Sequence, residues 1–100
     1  MDRDEAITAI KAALKARGLR FSVTGGRGTA WGWISVKPMP ATLKGLDHDA
    51  RAAKYREVSQ AFGLSGSGDV SIAASDAYRR EYLERAQGLQ PTAIAEPYWD

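Results

Sequence analysis

The chain has 100 residues, a length that fits one domain and excludes a multi-domain enzyme. Apolar residues make up 44% and charged residues 26% of the sequence, which indicates a globular chain. Because there is no cysteine, disulfides and thiolate chemistry are excluded, and the single histidine cannot form a histidine metal site alone. No apolar run reaches the roughly 20 residues that span a bilayer. We therefore predict one cytoplasmic domain, residues 1–100, with no membrane partner.

Charge is distributed unevenly along the chain. Residues 1–56 contain 11 Lys and Arg against 5 Asp and Glu, whereas residues 57–100 contain 3 against 7. Residues 6–46 contain seven bases and no acid. Such a stretch favours binding to phosphate or another polyanion. The alternative is a solvated surface that the acidic C-terminal half balances in the folded domain.

Three Gly-Leu pairs predict the ends of three helices, since glycine adopts the left-handed conformation that follows a helix. The predicted helices cover residues 3–17, 48–62 and 76–87. Each begins after a residue whose side chain can cap the first turn. These residues are Asp2, Asp47 and Ser75.

Alternating apolar and polar residues predict a β-hairpin between the first two helices. The strands cover residues 19–24 and 29–37, the glycines of residues 25–28 form the turn, and Pro38 ends the second strand. Residues 70–73 form a short third strand. The order α-β-β-α-β-α, with an extended tail from residue 90, predicts an α+β fold in which helices cover one face of a small, mainly antiparallel three-stranded sheet.

The second predicted strand contains two tryptophans two residues apart. Strand alternation places Trp31 and Trp33 on the face opposite the core. The polar residues of the first strand share that face, and Arg27 and Lys37 flank it. Aromatic rings among cations are typical of surfaces that bind single-stranded nucleic acid. The alternative is that both rings are buried, for example beneath the C-terminal tail.

We find no residue set that specifies catalysis. The glycines of residues 25–28 precede a strand and lack the Lys-Ser/Thr pair of a phosphate-binding loop. Asp47 and Asp49 flank His48, but adjacent side chains diverge and Asp47 is needed as a cap. Glu81 and Glu84 are expected to form surface ion pairs. We therefore expect a protein that is not an enzyme and uses no cofactor and no metal.

Two segments and the chain end carry a family resemblance. They read SVTGGRGTAWGWI at residues 22–34, VSIAASDAYRREY at 70–82 and PYWD at 97–100. The chain resembles, over nearly its whole length, a group of small uncharacterised bacterial and mobile-element proteins. Its first 40 or so residues are distantly similar to a large-polyvalent-protein-associated domain of phages and conjugative elements. The resemblance implies a mobile-element setting, where small inert proteins often block host defences, including CRISPR effectors, and it transfers no catalytic residues.

These observations favour a non-enzymatic protein that docks a basic, Trp-bearing hairpin face on nucleic acid or a nucleoprotein complex. In the mobile-element setting that the resemblance implies, such a protein could be an anti-CRISPR-type inhibitor. The alternative is a protein–protein adaptor or homodimer that uses the same aromatic face. The candidate binding residues are Lys11, Lys15, Arg20, Arg27, Trp31, Trp33 and Lys37.

Overall fold

The computed structural model describes residues 1–89, so the predicted extended tail lies outside the described residues. The elements are α1 (Arg3–Ala16), β1 (Phe21–Gly25), β2 (Ile34–Pro38), α2 (Pro40–Leu43), α3 (His48–Ala61), β3 (Val70–Ile72) and α4 (Asp76–Ala86). The strands form one antiparallel sheet in the order β1-β2-β3. The predicted α+β class is confirmed. The sequence analysis did not predict the single turn α2, which begins at Pro40, a position where proline loses no helical hydrogen bond.

The three longer helices begin at the predicted caps. The Asp2 carboxylate accepts the Glu5 N–H, and Glu5 accepts the Asp2 N–H in return, which forms a capping box. Asp47 and Ser75 accept backbone N–H groups in the first turns of α3 and α4. Local polar side chains therefore determine where these helices begin.

The Gly-Leu pairs at residues 18–19, 63–64 and 88–89 each end a helix, as predicted, and a fourth pair, Gly45-Leu46, follows the short α2. Gly18, Gly63 and Gly88 have φ angles of 75°, 71° and 81°. The leucine after each glycine donates its N–H to a carbonyl five residues earlier, for example from Leu64 to Ser59 at 2.9 Å. This is the Schellman arrangement, which pairs carbonyls that a helix end would otherwise leave free.

Replacing Gly63 with valine is expected to lower the free energy of unfolding by about 1–2 kcal/mol, because a β-branched residue resists a left-handed backbone. A Cβ at Gly63 would meet only the Arg85 guanidinium, at 3.5 Å, so crowding contributes little. Gly68→Val is the control, since a Cβ at Gly68 meets nothing within 4 Å. Urea unfolding of both variants measures the difference. Equal stabilities would show that the φ angle of Gly63 costs nothing.

The core lies between the sheet and the longer helices. Val23, Val36 and Val70 are paired side by side across the three strands and are buried. Helix α1 packs against β1, α3 against β2, and α4 against α1. The core includes Leu14 from α1 and Phe62 just beyond α3.

The opposite face of the sheet carries mainly hydroxyl groups. In register these are Ser22 beside Lys37, and Thr24 beside Ser35 and Ser71. Three of these five side chains belong to exposed residues and the serines of β1 and β2 are half-buried. Strand alternation thus separates an apolar face under the helices from a polar face.

Candidate nucleic-acid interface

The connection between β1 and β2 is longer than predicted, because β2 begins at Ile34 and not at residue 29. The Gly26 N–H donates to the Trp33 carbonyl at 2.8 Å and closes the hairpin. Gly28–Ala30 form a 3-10 turn, and the Trp33 N–H donates to the Ala30 carbonyl at 3.0 Å. These local hydrogen bonds replace strand pairing, so Trp31 lies in a turn and not in a strand.

Two arginines from the helices hold this connection. Arg3 donates to the carbonyls of Gly26 at 3.3 Å and Trp31 at 3.0 Å. Arg79 donates to the carbonyls of Gly32 at 2.8 Å and Met1 at 3.1 Å. A charged donor on a backbone carbonyl is a strong form of hydrogen bond. These hydrogen bonds hold the connection against α1 and α4 in the unliganded protein.

Sequence reasoning missed both arginines as positioning residues. A signal for Arg3 was present, since it occupies the first turn of α1, where the helix dipole disfavours a cation. Such a residue needs a partner, and here the partners are the neighbouring Asp4 carboxylate and two carbonyls of the connection. Arg79 carries no comparable signal in the sequence.

Both tryptophans of the connection are exposed, Trp31 by 56% and Trp33 by 44%. The Arg3 guanidinium lies over the Trp31 ring, 3.8 Å from its centroid, which places this ring beside α1. The Gly26–Trp33 hydrogen bond continues the β1–β2 pairing one residue beyond Ile34, so alternation still applies at Trp33 and places its side chain on the polar side of the sheet. The two rings thus differ in their surroundings, whereas the sequence predicted one shared face.

The predicted binding residues divide between two surfaces. We define the hairpin face as Ser22, Thr24, Trp33, Ser35 and Lys37, with Arg27 at its end. Lys37 lies 4.0 Å from the Asp69 carboxylate, a weak surface ion pair, and Arg27 is exposed. Lys11, Lys15 and Arg20 instead line a groove between α1 and β1.

The Asp47-His48-Asp49 cluster lies apart from these surfaces, at the start of α3. The His48 side chain is 97% exposed and its Nδ1 lies 3.6 Å from Asp49. Asp47 is occupied as the cap. Within residues 1–89 no group of three or more metal-ligating side chains occurs.

Within residues 1–89, two groups have a displaced pKa, and both belong to α4. The hydrogen bond from the N-terminal ammonium to Asp76, with Arg80 nearby, lowers the pKa of the Asp76 carboxyl. Burial raises the pKa of the Tyr82 hydroxyl, whose ring packs against Phe62 with centroids 6.1 Å apart. Neither group belongs to the hairpin face.

Comparison of the chain with family models, with curated proteins and with solved structures finds no match. The mobile-element resemblance therefore stays a prediction. None of the helices in residues 1–89 is long and apolar enough to cross a membrane.

Proposed function

We propose that this protein is a non-enzymatic binding protein that docks its hairpin face on single-stranded nucleic acid, free or within a nucleoprotein complex. The observation that carries the proposal is the exposed Trp33 ring at one end of a sheet face of hydroxyl and cationic side chains. The opposite face packs against the helices, so this face is the one that the hairpin presents outward.

Each component of the hairpin face suits one part of a nucleotide. An unpaired base stacks on the Trp33 ring, and such stacking tolerates any base. Arg27 and Lys37 attract phosphates, and the hydroxyls of Ser22, Thr24 and Ser35 donate to phosphate or sugar oxygens. The anchoring of the connection by Arg3 and Arg79 reduces the ordering cost of binding.

The proposed setting is the cytoplasm of a bacterial host, in keeping with the absence of cysteine and with the mobile-element resemblance. A small inert protein that covers nucleic acid inside a host defence complex would act as an anti-CRISPR-type inhibitor. Its partner in that setting is a nucleoprotein.

The second candidate is a protein–protein adaptor or homodimer that uses the aromatic end of the hairpin. The observation that favours it is the Arg3–Trp31 stack, since pre-organised Trp and Arg side chains dominate protein interfaces. Salt distinguishes the two candidates. Binding through phosphates weakens steeply as salt increases, and binding through an aromatic interface hardly changes.

Trp33→Ala is expected to weaken binding of a fluorescein-labelled 15-nucleotide oligothymidine by about 1–3 kcal/mol, because base stacking is lost. Arg27→Gln is expected to weaken binding less and to lower the salt slope by about 0.7, since one phosphate contact disappears. Fluorescence anisotropy at several salt concentrations measures both effects.

Matched variants control for folding and for net charge. Trp33→Phe retains a stacking ring and is expected to restore most of the binding. Lys44→Gln removes one charge away from the hairpin face and is expected to leave the salt slope unchanged. All variants are compared by thermal melting. If Trp33→Ala has the melting temperature of the parent protein and binds the oligonucleotide equally well, the hairpin face is not the binding surface.

A further inference from the structure

Strand β1 is an edge of the sheet, and no strand of residues 1–89 pairs with its outward side. Because Gly26 pairs with Trp33, ladder hydrogen bonds fall on alternate residues of β1, namely Ser22 and Thr24. The N–H and C=O groups of Phe21 and Val23 therefore point away from β2. Within residues 1–89 these groups have no hydrogen-bond partner. An edge in this state can accept another strand.

A groove of about 420 Å³ runs beside this edge, between α1 and β1. The floor of the groove is apolar and continuous with the core, because the half-buried Leu19 and Phe21 line the groove and pack against the core. Further floor residues are Leu14, Val23 and Met39. Side chains on one side of an added strand would contact this floor.

Three cations surround the groove, and no carboxylate of residues 1–89 lines it. Lys11, Lys15 and Arg20 are exposed, and none of them forms an ion pair with a residue of the described part of the chain. Arg3 and Arg17, by contrast, donate to backbone carbonyls. No carboxylate of the described residues neutralises these cations, so their charge suits an acidic partner.

The distance between the two lysines of the groove is close to the distance between alternate residues of a β-strand. Lys11 and Lys15 are four residues apart on a helix, so their Cβ atoms are about 6 Å apart. Alternate residues of a strand are about 6.6–6.8 Å apart and point to the same side. Two carboxylates at alternate positions of an added strand would each face one lysine.

We infer that the groove binds an extended acidic segment of a partner protein, which joins the sheet as a strand beside β1. The segment carries carboxylates at alternate positions facing α1, with apolar residues next to them over the groove floor. Backbone hydrogen bonds to Phe21 and Val23 supply general affinity, and the cations select acidic sequences. The groove borders the hairpin face, since Ser22 and Thr24 line both, but the inference does not depend on nucleic-acid binding there.

The test uses a fluorescein-labelled peptide, Val-Thr-Glu-Thr-Glu-Thr-Val, which places Val, Glu, Glu and Val on one side. Binding measured by anisotropy is expected to fall at least tenfold in the Lys11→Gln, Lys15→Gln double variant. Lys44→Gln together with Lys54→Gln removes the same charge outside the groove, and this control is expected to bind within twofold of the parent protein.

Backbone N-methylation of the peptide tests the strand pairing itself. Only every second N–H of an added strand pairs with β1. N-methylation of the three threonines is therefore expected to differ from N-methylation of the two glutamates, with one of the two peptides losing binding at least tenfold.

Equal binding by the two methylated peptides, or no effect of the groove variants, would overturn the inference. The inference would also be overturned if the groove variants lost binding of oligothymidine and kept binding of the peptide, because the groove would then hold nucleic acid.

Discussion

Replacing Gly26 with alanine is expected to lower the free energy of unfolding by roughly 2–3 kcal/mol and the melting temperature by about 10 °C. A Cβ at this position would lie 1.9 Å from the Ala30 carbonyl oxygen and 2.8 Å from the carbonyl carbon. These are backbone atoms, so no rotamer change relieves the clash. The connection must open, and the Gly26–Trp33 hydrogen bond that closes the hairpin is then weakened.

Gly68→Ala is the matched control for Gly26→Ala. A Cβ at Gly68 meets nothing within 4 Å, and its backbone has no positive φ. This variant is expected to be as stable as the parent protein or up to about 1 kcal/mol more stable, because alanine restricts the unfolded chain. Thermal melting of both variants, with tryptophan fluorescence as the probe, measures the contrast. Equal melting temperatures would show that the close approach at Gly26 is unimportant.

Arg17→Ala is expected to lower the free energy of unfolding by about 2–3 kcal/mol. The Arg17 guanidinium donates to the carbonyls of Ala61 and Ala86, both at 2.8 Å, and to the Arg85 carbonyl at 3.4 Å. Ala61 and Ala86 are the last residues of α3 and α4, where the helix itself supplies no donor, whereas the Arg85 carbonyl also accepts the Gly88 N–H. Alanine would leave them without this donor and would remove a cation from two negative helix ends.

Urea unfolding of Arg17→Ala is compared with that of Arg56→Ala. Arg56 is exposed on α3, and its side chain forms no hydrogen bond or ion pair within residues 1–89, so its loss is expected to change stability by no more than about 0.5 kcal/mol. Arg17→Lys is expected to recover part of the loss, because an ammonium reaches fewer of the carbonyls than a guanidinium. Parent-like stability of Arg17→Ala would mean that water pairs these carbonyls equally well.

The candidate interface was only partly predictable. Alternation in β1 and β2 correctly separated the core residues Val23 and Val36 from the polar face. The same rule failed at Trp31, because alternation holds only inside a strand and this residue lies in a turn held by Arg3. The division of the basic residues between hairpin face and groove also depended on packing, since Lys11 and Lys15 share the side of α1 that lies beside β1.

The sequence by itself determined the local features of this protein: the caps at Asp2, Asp47 and Ser75, the helix ends at the Gly-Leu pairs, and hence the order of elements. Each of these depends on atoms within about six residues, so short patterns encode them. The tertiary structure alone decided where β2 begins, which carbonyls Arg3, Arg17 and Arg79 bind, and that β1 forms the edge of the sheet beside α1. The carbonyls that these arginines bind lie 23 to 78 positions away from them, for which no local pattern in one sequence exists.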